Sequence, residues 1–131
     1  MPRSELSRVS DRPLHKARFA GAIDTVGGEP LSNVIKSLKP RAAVAACGLV
    51  AGPELSLTVF PFILRGVSLL GIDSAECPMG VRQRVWERLA GAWKVDLTAL
   101  TREVTLDELD GVIGEILRGQ TQGRVLVRVG G

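Results

Sequence analysis

The sequence predicts an α/β fold built on a mainly parallel β-sheet. Three short runs of small and apolar side chains, at residues 20–26, 42–47 and 67–73, have the length and composition of strands, and the first has the form of a strand buried on both faces. Segments with apolar side chains at helical spacing follow these runs, and such alternation favours right-handed crossover connections. The 131 residues allow one domain of ordinary size with a single core.

The first three predicted elements are a strand, a helix and a second strand. Strand 20–26 ends at two consecutive glycines. A helix should follow, because Pro30 suits a first helical turn and Pro40 stops the pattern. Between the two prolines, the apolar residues at helical spacing are Leu31, Val34, Ile35 and Leu38. Residues 42–47 then form the second strand.

The later elements follow the same logic. A short helix within 58–65 precedes strand 67–73, and residues 79–94 carry one apolar stripe, which predicts a surface helix. Thr105 and Glu108 have the spacing of a capping box for a helix that runs to residue 117. The chain closes with the alternating pattern of a half-buried strand at 124–129.

The formal charge of +3 is concentrated at the N-terminus. Residues 1–18 hold five basic and two acidic side chains, so residues 19–131 are neutral. Nucleic-acid binding usually needs a basic face on a folded element, and aromatic platforms when the target is single-stranded. None of the aromatic residues lies in the basic segment, so no nucleic-acid partner is predicted.

Cysteine and histidine are too sparse for a metal or thiol centre. Cys47 and Cys77 form no C-x-x-C pair, and His15 is the only histidine. Cys47 is interpreted as a buried small side chain rather than a nucleophile, and His15 as a solvated loop residue. We predict a reduced, cytoplasmic setting without a membrane span, since neither an apolar signal region nor a long uncharged stretch is present.

A ligand edge is expected where the strands end, because open α/β sheets bind ligands at the carboxyl ends of their strands. This rule selects Thr25-Val26-Gly27, Cys47-Gly48-Leu49 and Asp73-Ser74. The alternative is that these small residues only make tight turns. A phosphate cradle is absent, since no two glycines are two positions apart and no Gly-Lys pair occurs.

Four segments resemble consecutive parts of one family, with matching order and spacing from about Arg12 to Val129. That family is the acryloyl-CoA reductase and quinone oxidoreductase type of zinc-independent, NADPH-dependent medium-chain dehydrogenases. The segments are AGAIDTVG at 20–27, VAACGL at 44–49, FPFILRGVSLLGIDS at 60–74 and QTQGRVLV at 120–127.

The resemblance implies that the chain is the C-terminal portion of such an enzyme. Family members are more than twice as long, with a GroES-like catalytic domain and a glycine motif upstream. Residues 19–118 would be the second half of a Rossmann-type, mainly parallel sheet with flanking helices. Residues 1–18 would be a basic polar segment, and 119–131 would hold a strand returning to the GroES-like catalytic domain.

The same resemblance places cofactor contacts on four residues, Arg3, Leu49, Ile63 and Ser74. Leu49 and Ser74 lie at strand ends that the sheet rule also selects, whereas Leu49 and Ile63 could equally be core side chains. Arg118-Gly119 stands where the family has a further asparagine contact, so that contact is not carried over. No catalytic or metal-binding residue is expected in this part of the enzyme.

The implied activity is hydride transfer from NADPH to an α,β-unsaturated acyl-CoA or to a quinone. The implied partner is a second copy, paired through strand 67–73 at the sheet edge. The alternative is a non-catalytic remnant that acts as a dimerisation or nucleotide-binding module.

Overall fold

The computed structural model describes residues 3–130, apart from the side chain of Arg3. The chain forms two compact units, and the boundary between them in sequence lies between Cys77 and Pro78. The first unit contains α1 (Arg3–Leu6), β1 (Ala22–Asp24), α2 (Gly28–Lys36), β2 (Ala43–Ala46), α3 (Phe60–Arg65) and β3 (Ser68–Gly71). The second contains α4 (Met79–Ala90), β4 (Thr101–Thr105), α5 (Leu109–Leu117) and β5 (Arg124–Arg128), with 3₁₀ turns at Thr98–Leu100 and Leu106–Glu108. The predicted α/β class is confirmed.

The first unit is organised by a parallel sheet with the strand order β1-β2-β3. Ile23 pairs with Ala45, and Ala45 pairs in turn with Leu70. Each strand is connected to the next through a helix, as parallel pairing requires. The carboxyl ends of all three strands therefore lie at one edge of the sheet.

Helix α2 supplies most of the core of the first unit. Its residues Leu31 and Ile35, together with Leu38 just beyond it, are buried against Val44 of β2. The spacing of these three residues is the one that predicted the helix. Complete burial of each such side chain contributes about 1.5–3 kcal/mol.

Strand β1 differs from its prediction. It was expected to be buried on both faces, but Ile23 is 82% exposed, and β1 is an edge strand of the sheet. Small apolar runs predict burial from composition alone, and composition cannot show whether a covering layer lies within the same chain. One face of β1 is open in the described part of the chain.

Residues 4–18 pack against α2. Asn33 of α2 donates through Nδ2 to the carbonyl oxygens of Leu6 and Arg8, both at 2.8 Å. Lys36 donates through Nζ to the carbonyl oxygen of Ser10, also at 2.8 Å. The basic N-terminal segment is therefore attached to the helix by backbone contacts that its composition does not reveal.

His15 is part of this attachment, which corrects its interpretation as a solvated loop residue. Nε2 lies 3.0 Å from the Ser10 hydroxyl, and Nδ1 lies 3.4 Å from the hydroxyl of Ser37. Its carbonyl oxygen accepts a short hydrogen bond from the guanidinium of Arg65. Burial lowers the pKa of His15, and the nearby charges of Lys36 and Arg12 lower it further.

The second unit contains a parallel pair of strands, β4 and β5, in which Val104 lies opposite Val127. Strand β4 was not predicted, because Val104 is its only apolar residue. The capping box is confirmed, since Glu108 accepts from both the backbone N–H and the hydroxyl of Thr105. Strand β5, near the C-terminus, is thus paired with β4 of the same chain.

Helix α4 exposes the apolar stripe that predicted it. None of its residues is buried in the part of the chain that the structure describes, and Trp86 is 65% exposed.

Among residues 3–130, no helix combines the length and the apolar character that a membrane span needs.

Candidate functional site

The ligand edge predicted from the sequence is where the structure brings three loops together. The loops after β1, β2 and β3 begin at Thr25, Cys47 and Ile72, at the carboxyl ends of adjacent parallel strands. Parallel sheets bind ligands at this edge because loops and helix N-termini converge there. The location of the edge agrees with the prediction.

A cleft of about 560 Å³ opens between the ends of β2 and β3. Its walls come from the last residues of both strands and the loops that follow: Ala46, Cys47, Gly48, Leu49, Gly71, Ile72 and Asp73. Leu49 is 64% exposed at this edge, an unfavourable position for a leucine in water. The cleft thus presents apolar side chains beside open backbone.

The loops after β1 and β2 pack backbone against backbone. Gly27 adopts φ 71°, and a Cβ built there would lie 2.9 Å from the Cα of Leu49. A Cβ on Gly48 would lie 2.9 Å from the Cα of Thr25. Only glycine allows this approach, and the approach fixes where Leu49 sits.

The turn after β1 is held by a buried carboxylate. Asp24 is 7% exposed, and its Oδ2 accepts from the backbone N–H groups of Gly27 at 2.8 Å and Val26 at 3.2 Å. No role for Asp24 is predicted from the sequence. The available signal was a charged residue inside an otherwise apolar strand.

Cys47 is exposed at the cleft, which corrects the expectation of a buried side chain. Its thiol donates to the carbonyl oxygen of Asp24 at 3.3 Å, and its backbone N–H donates to the same oxygen at 2.9 Å. Strand β2 ends at Ala46, one residue before Cys47, so the thiol lies at the cleft rather than beneath the sheet.

The four residues assigned by resemblance lie in different places. Leu49 lines the cleft, and Ser74 is exposed directly after Asp73, which also lines it. Ile63 lies on α3, is 67% exposed and is not part of the cleft walls. The backbone of Arg3 begins α1, and its side chain lies outside the described residues.

The edge combines apolar side chains with two polar groups. Its side chains are a leucine, an isoleucine, a thiol and the carboxylate of Asp73, which accepts from the N–H of Glu76 at 3.0 Å. Across residues 3–130, no group of three or more His, Cys, Asp or Glu side chains is arranged to hold a metal ion. The edge can hold a flat apolar ring against exposed backbone.

Fold and site together define a class of protein. A wholly parallel sheet with crossover helices and a cleft at adjacent carboxyl ends is the arrangement of the doubly wound α/β proteins, in which nucleotides bind at this edge. The three-stranded sheet of the first unit has the arrangement of a part of such a sheet.

Comparison with known proteins shows which proteins this chain resembles. No family model matches the chain. It is 48% identical over 128 residues to the acrylyl-CoA reductase AcuI of Ruegeria pomeroyi, and 48% identical over 120 residues to YhfP of Bacillus subtilis, which carries the name quinone oxidoreductase. These matches cover 97% and 90% of the chain.

Solved structures agree with the sequence matches. YhdH of Escherichia coli K-12 with bound NADPH superposes with a TM-score of 0.82 at 41% identity, over 99% of this chain and 40% of that one. YhfP, solved with NAD bound, gives 0.82 at 44% identity, over 97% and 39%. The chain is homologous to a portion of the acryloyl-CoA reductase and quinone oxidoreductase type of medium-chain dehydrogenases, and the recognition from sequence is confirmed.

The homology covers only part of those proteins. The chain spans 36–39% of the length of the two curated relatives. The remaining length of the relatives has no counterpart in the 131 residues.

Proposed function

We propose that this chain supplies the nicotinamide side of an NADPH site, as the C-terminal portion of an oxidoreductase. The reaction is hydride transfer to an α,β-unsaturated acyl-CoA or to a quinone. The observation that carries the proposal is the cleft at the ends of β2 and β3, lined by exposed Leu49 in a chain 48% identical to AcuI.

The cleft suits one part of the cofactor. A nicotinamide ring is flat and largely apolar on its faces, and Leu49 and Ile72 offer apolar contact while Gly48 and Gly71 leave the backbone open. No pyrophosphate cradle accompanies them, because the glycine spacing that forms one is missing. We propose that the cradle and the groups recognising the 2′-phosphate belong to an upstream half, with residues 19–118 completing the sheet and 119–131 returning to the catalytic domain.

Each assigned residue then has a defined contribution. Bound NADPH supplies the hydride from C4 of its nicotinamide ring. Leu49 would pack against the ring and exclude water, the backbone beside Ser74 would hold the ring's orientation, and Ile63, on α3 outside the cleft walls, would contact the cofactor beyond the cleft. Arg3, whose backbone begins α1, would be a further cofactor contact, as the resemblance implies. These residues position the ring, and the groups that polarise the substrate lie elsewhere.

The name of the Ruegeria pomeroyi relative favours a thioester substrate, and that of YhfP a quinone. The proposal includes a homodimer paired through residues 67–73. Its support is that β3 is an edge strand and that its residue Leu70 is 50% exposed. A cytoplasmic location is proposed from the cysteine usage.

The experiment is calorimetric titration of the chain with NADPH, followed by an assay of NADPH oxidation with acryloyl-CoA or a quinone. We expect saturable binding without turnover. Leu49→Glu should weaken binding by about tenfold or more, because it removes apolar contact and adds a charge beside the ring. The matched control is Leu117→Glu, at an 83% exposed leucine of α5, which should leave binding unchanged.

The competing function is a non-catalytic dimerisation module. The exposed apolar residues of α4 and β1 favour it, since large exposed apolar patches mark interaction surfaces. Dimerisation without detectable NADPH binding at millimolar cofactor, by calorimetry and by the fluorescence of Trp86 and Trp93, would establish that function and remove the cofactor proposal.

A further inference from the structure

We infer that Asp24 is a positioning residue for the cofactor cleft. It fixes the turn after β1 and, through that turn, the loop that carries Leu49. This inference rests on the proposed function, because the consequence of correct positioning is cofactor affinity.

The contacts of Asp24 converge on a single turn. One carboxylate oxygen accepts from the N–H groups of both Val26 and Gly27, at 3.2 and 2.8 Å. Gly27 is the residue that precedes α2, so the carboxylate lies close to the N-terminus of that helix, where negative charge is favourable. A carboxylate buried at a strand end is costly unless it is hydrogen-bonded in this way.

The turn after β1 also holds the loop after β2. The carbonyl oxygen of Asp24 accepts from the N–H and the thiol of Cys47, and the carbonyl oxygen of Val26 accepts from the N–H of Ala51 at 2.8 Å. Leu49 lies between these two anchor points in the chain. Its Cα faces Gly27 at a distance that leaves no room for a Cβ on that glycine.

Asp24 is absent from the cleft walls, so it acts only through this backbone. If the carboxylate is removed, two N–H groups lose their partner and the turn can rotate. The loop of Leu49 then loses its support, and the cleft widens where the ring would pack. A residue that merely stabilised the fold would alter the unfolding free energy without a specific effect on this loop.

The test compares three variants of the full chain in a Cys77→Ser background. Asp24→Ala removes the oxygen that accepts from both N–H groups, Asp24→Asn keeps an oxygen of the same geometry, and Asp24→Glu keeps the charge but displaces it. The matched control is Asp96→Ala in the second unit, where the carboxylate also holds a turn by accepting from the N–H and hydroxyl of Thr98, at 2.9 and 2.6 Å. The readouts are the NADPH dissociation constant and the alkylation rate of Cys47 by N-ethylmaleimide without cofactor.

We expect Asp24→Ala and Asp24→Glu to weaken NADPH binding and to accelerate alkylation, each by roughly tenfold, while Asp24→Asn stays within about threefold of the parent. If Asp24→Ala does not fold, the comparison of Glu with Asn decides. Binding and alkylation in Asp24→Glu equal to those of the parent would overturn the inference. If the parent does not bind NADPH, the proposed function fails, and unchanged alkylation would separately show that Asp24 does not hold the loop.

Discussion

Arg65 shows how much a single side chain contributes to the first unit. Its guanidinium donates to the carbonyl oxygens of Lys36 and Leu38 at 2.9 and 3.0 Å, and to that of His15. Arginine suits this role because its planar group carries five donors in a fixed geometry. One residue therefore caps the end of α2 and holds the N-terminal segment against it.

The lowered pKa of His15 predicts that the stability of the chain depends on pH. Its pKa in the folded chain is lowered from 6.5 by burial and then by Lys36, Arg12 and Arg65, with Glu29 opposing them. The unfolded chain binds the proton more readily, so this contribution to stability is complete above about pH 6.5 and is lost as the pH falls towards the folded pKa.

Urea unfolding at a series of pH values between about 5 and 8 measures this effect. The free energy of unfolding should fall on acidification in the parent, and His15→Gln should flatten the curve over the interval just below pH 6.5. Parallel curves for the two proteins would show that the titration of His15 is not linked to folding.

At the scale of elements, the sheet has two edges that the sequence could not distinguish. Strands β1 and β3 both carry an exposed apolar residue, Ile23 at 82% and Leu70 at 50%. Exposed apolar strand edges promote pairing with another chain. The proposed dimer uses only β3.

Sedimentation of matched variants shows which of these two edges forms the proposed dimer. Leu70→Lys should convert the dimer to monomer, because it places a charge at the proposed seam, and Ile23→Lys should leave the dimer intact. Neither should change the unfolding free energy of the monomer by more than about 0.5 kcal/mol, since both side chains are exposed. A dimer that survives Leu70→Lys and dissociates in Ile23→Lys would place the interface on β1.

The elements also show what sequence patterns can predict. Helix α2 and strand β2 were predicted because their apolar residues face a core within the same unit. Strand β4 was missed because it needs only Val104 to be buried, and period-two patterning over one apolar residue gives no signal. Ile23 belongs to the strand predicted to be buried on both faces, but its side chain is 82% exposed.

At the scale of the whole molecule, the ligand edge was predictable and the details of the site were not. The end of β2 follows from Gly48, so the loop at Cys47 could be placed from sequence, whereas the third strand was predicted to run to Asp73 and ends at Gly71. The exposure of Cys47 and the contacts of Asp24 depend on how two loops pack, and residues that are distant in sequence decide that packing. The assignments of Arg3, Leu49, Ile63 and Ser74 as cofactor contacts remain predictions.

The central claim is that the nicotinamide ring of NADPH occupies the cleft beside Cys47, and protection of this thiol tests it most directly. In a Cys77→Ser background, NADPH at ten times its dissociation constant should slow alkylation of Cys47 by about tenfold, because only the free protein then reacts. The control ligand is 2′-phospho-ADP-ribose, which lacks the nicotinamide ring and should not protect. Equal alkylation rates with and without saturating NADPH would contradict the account.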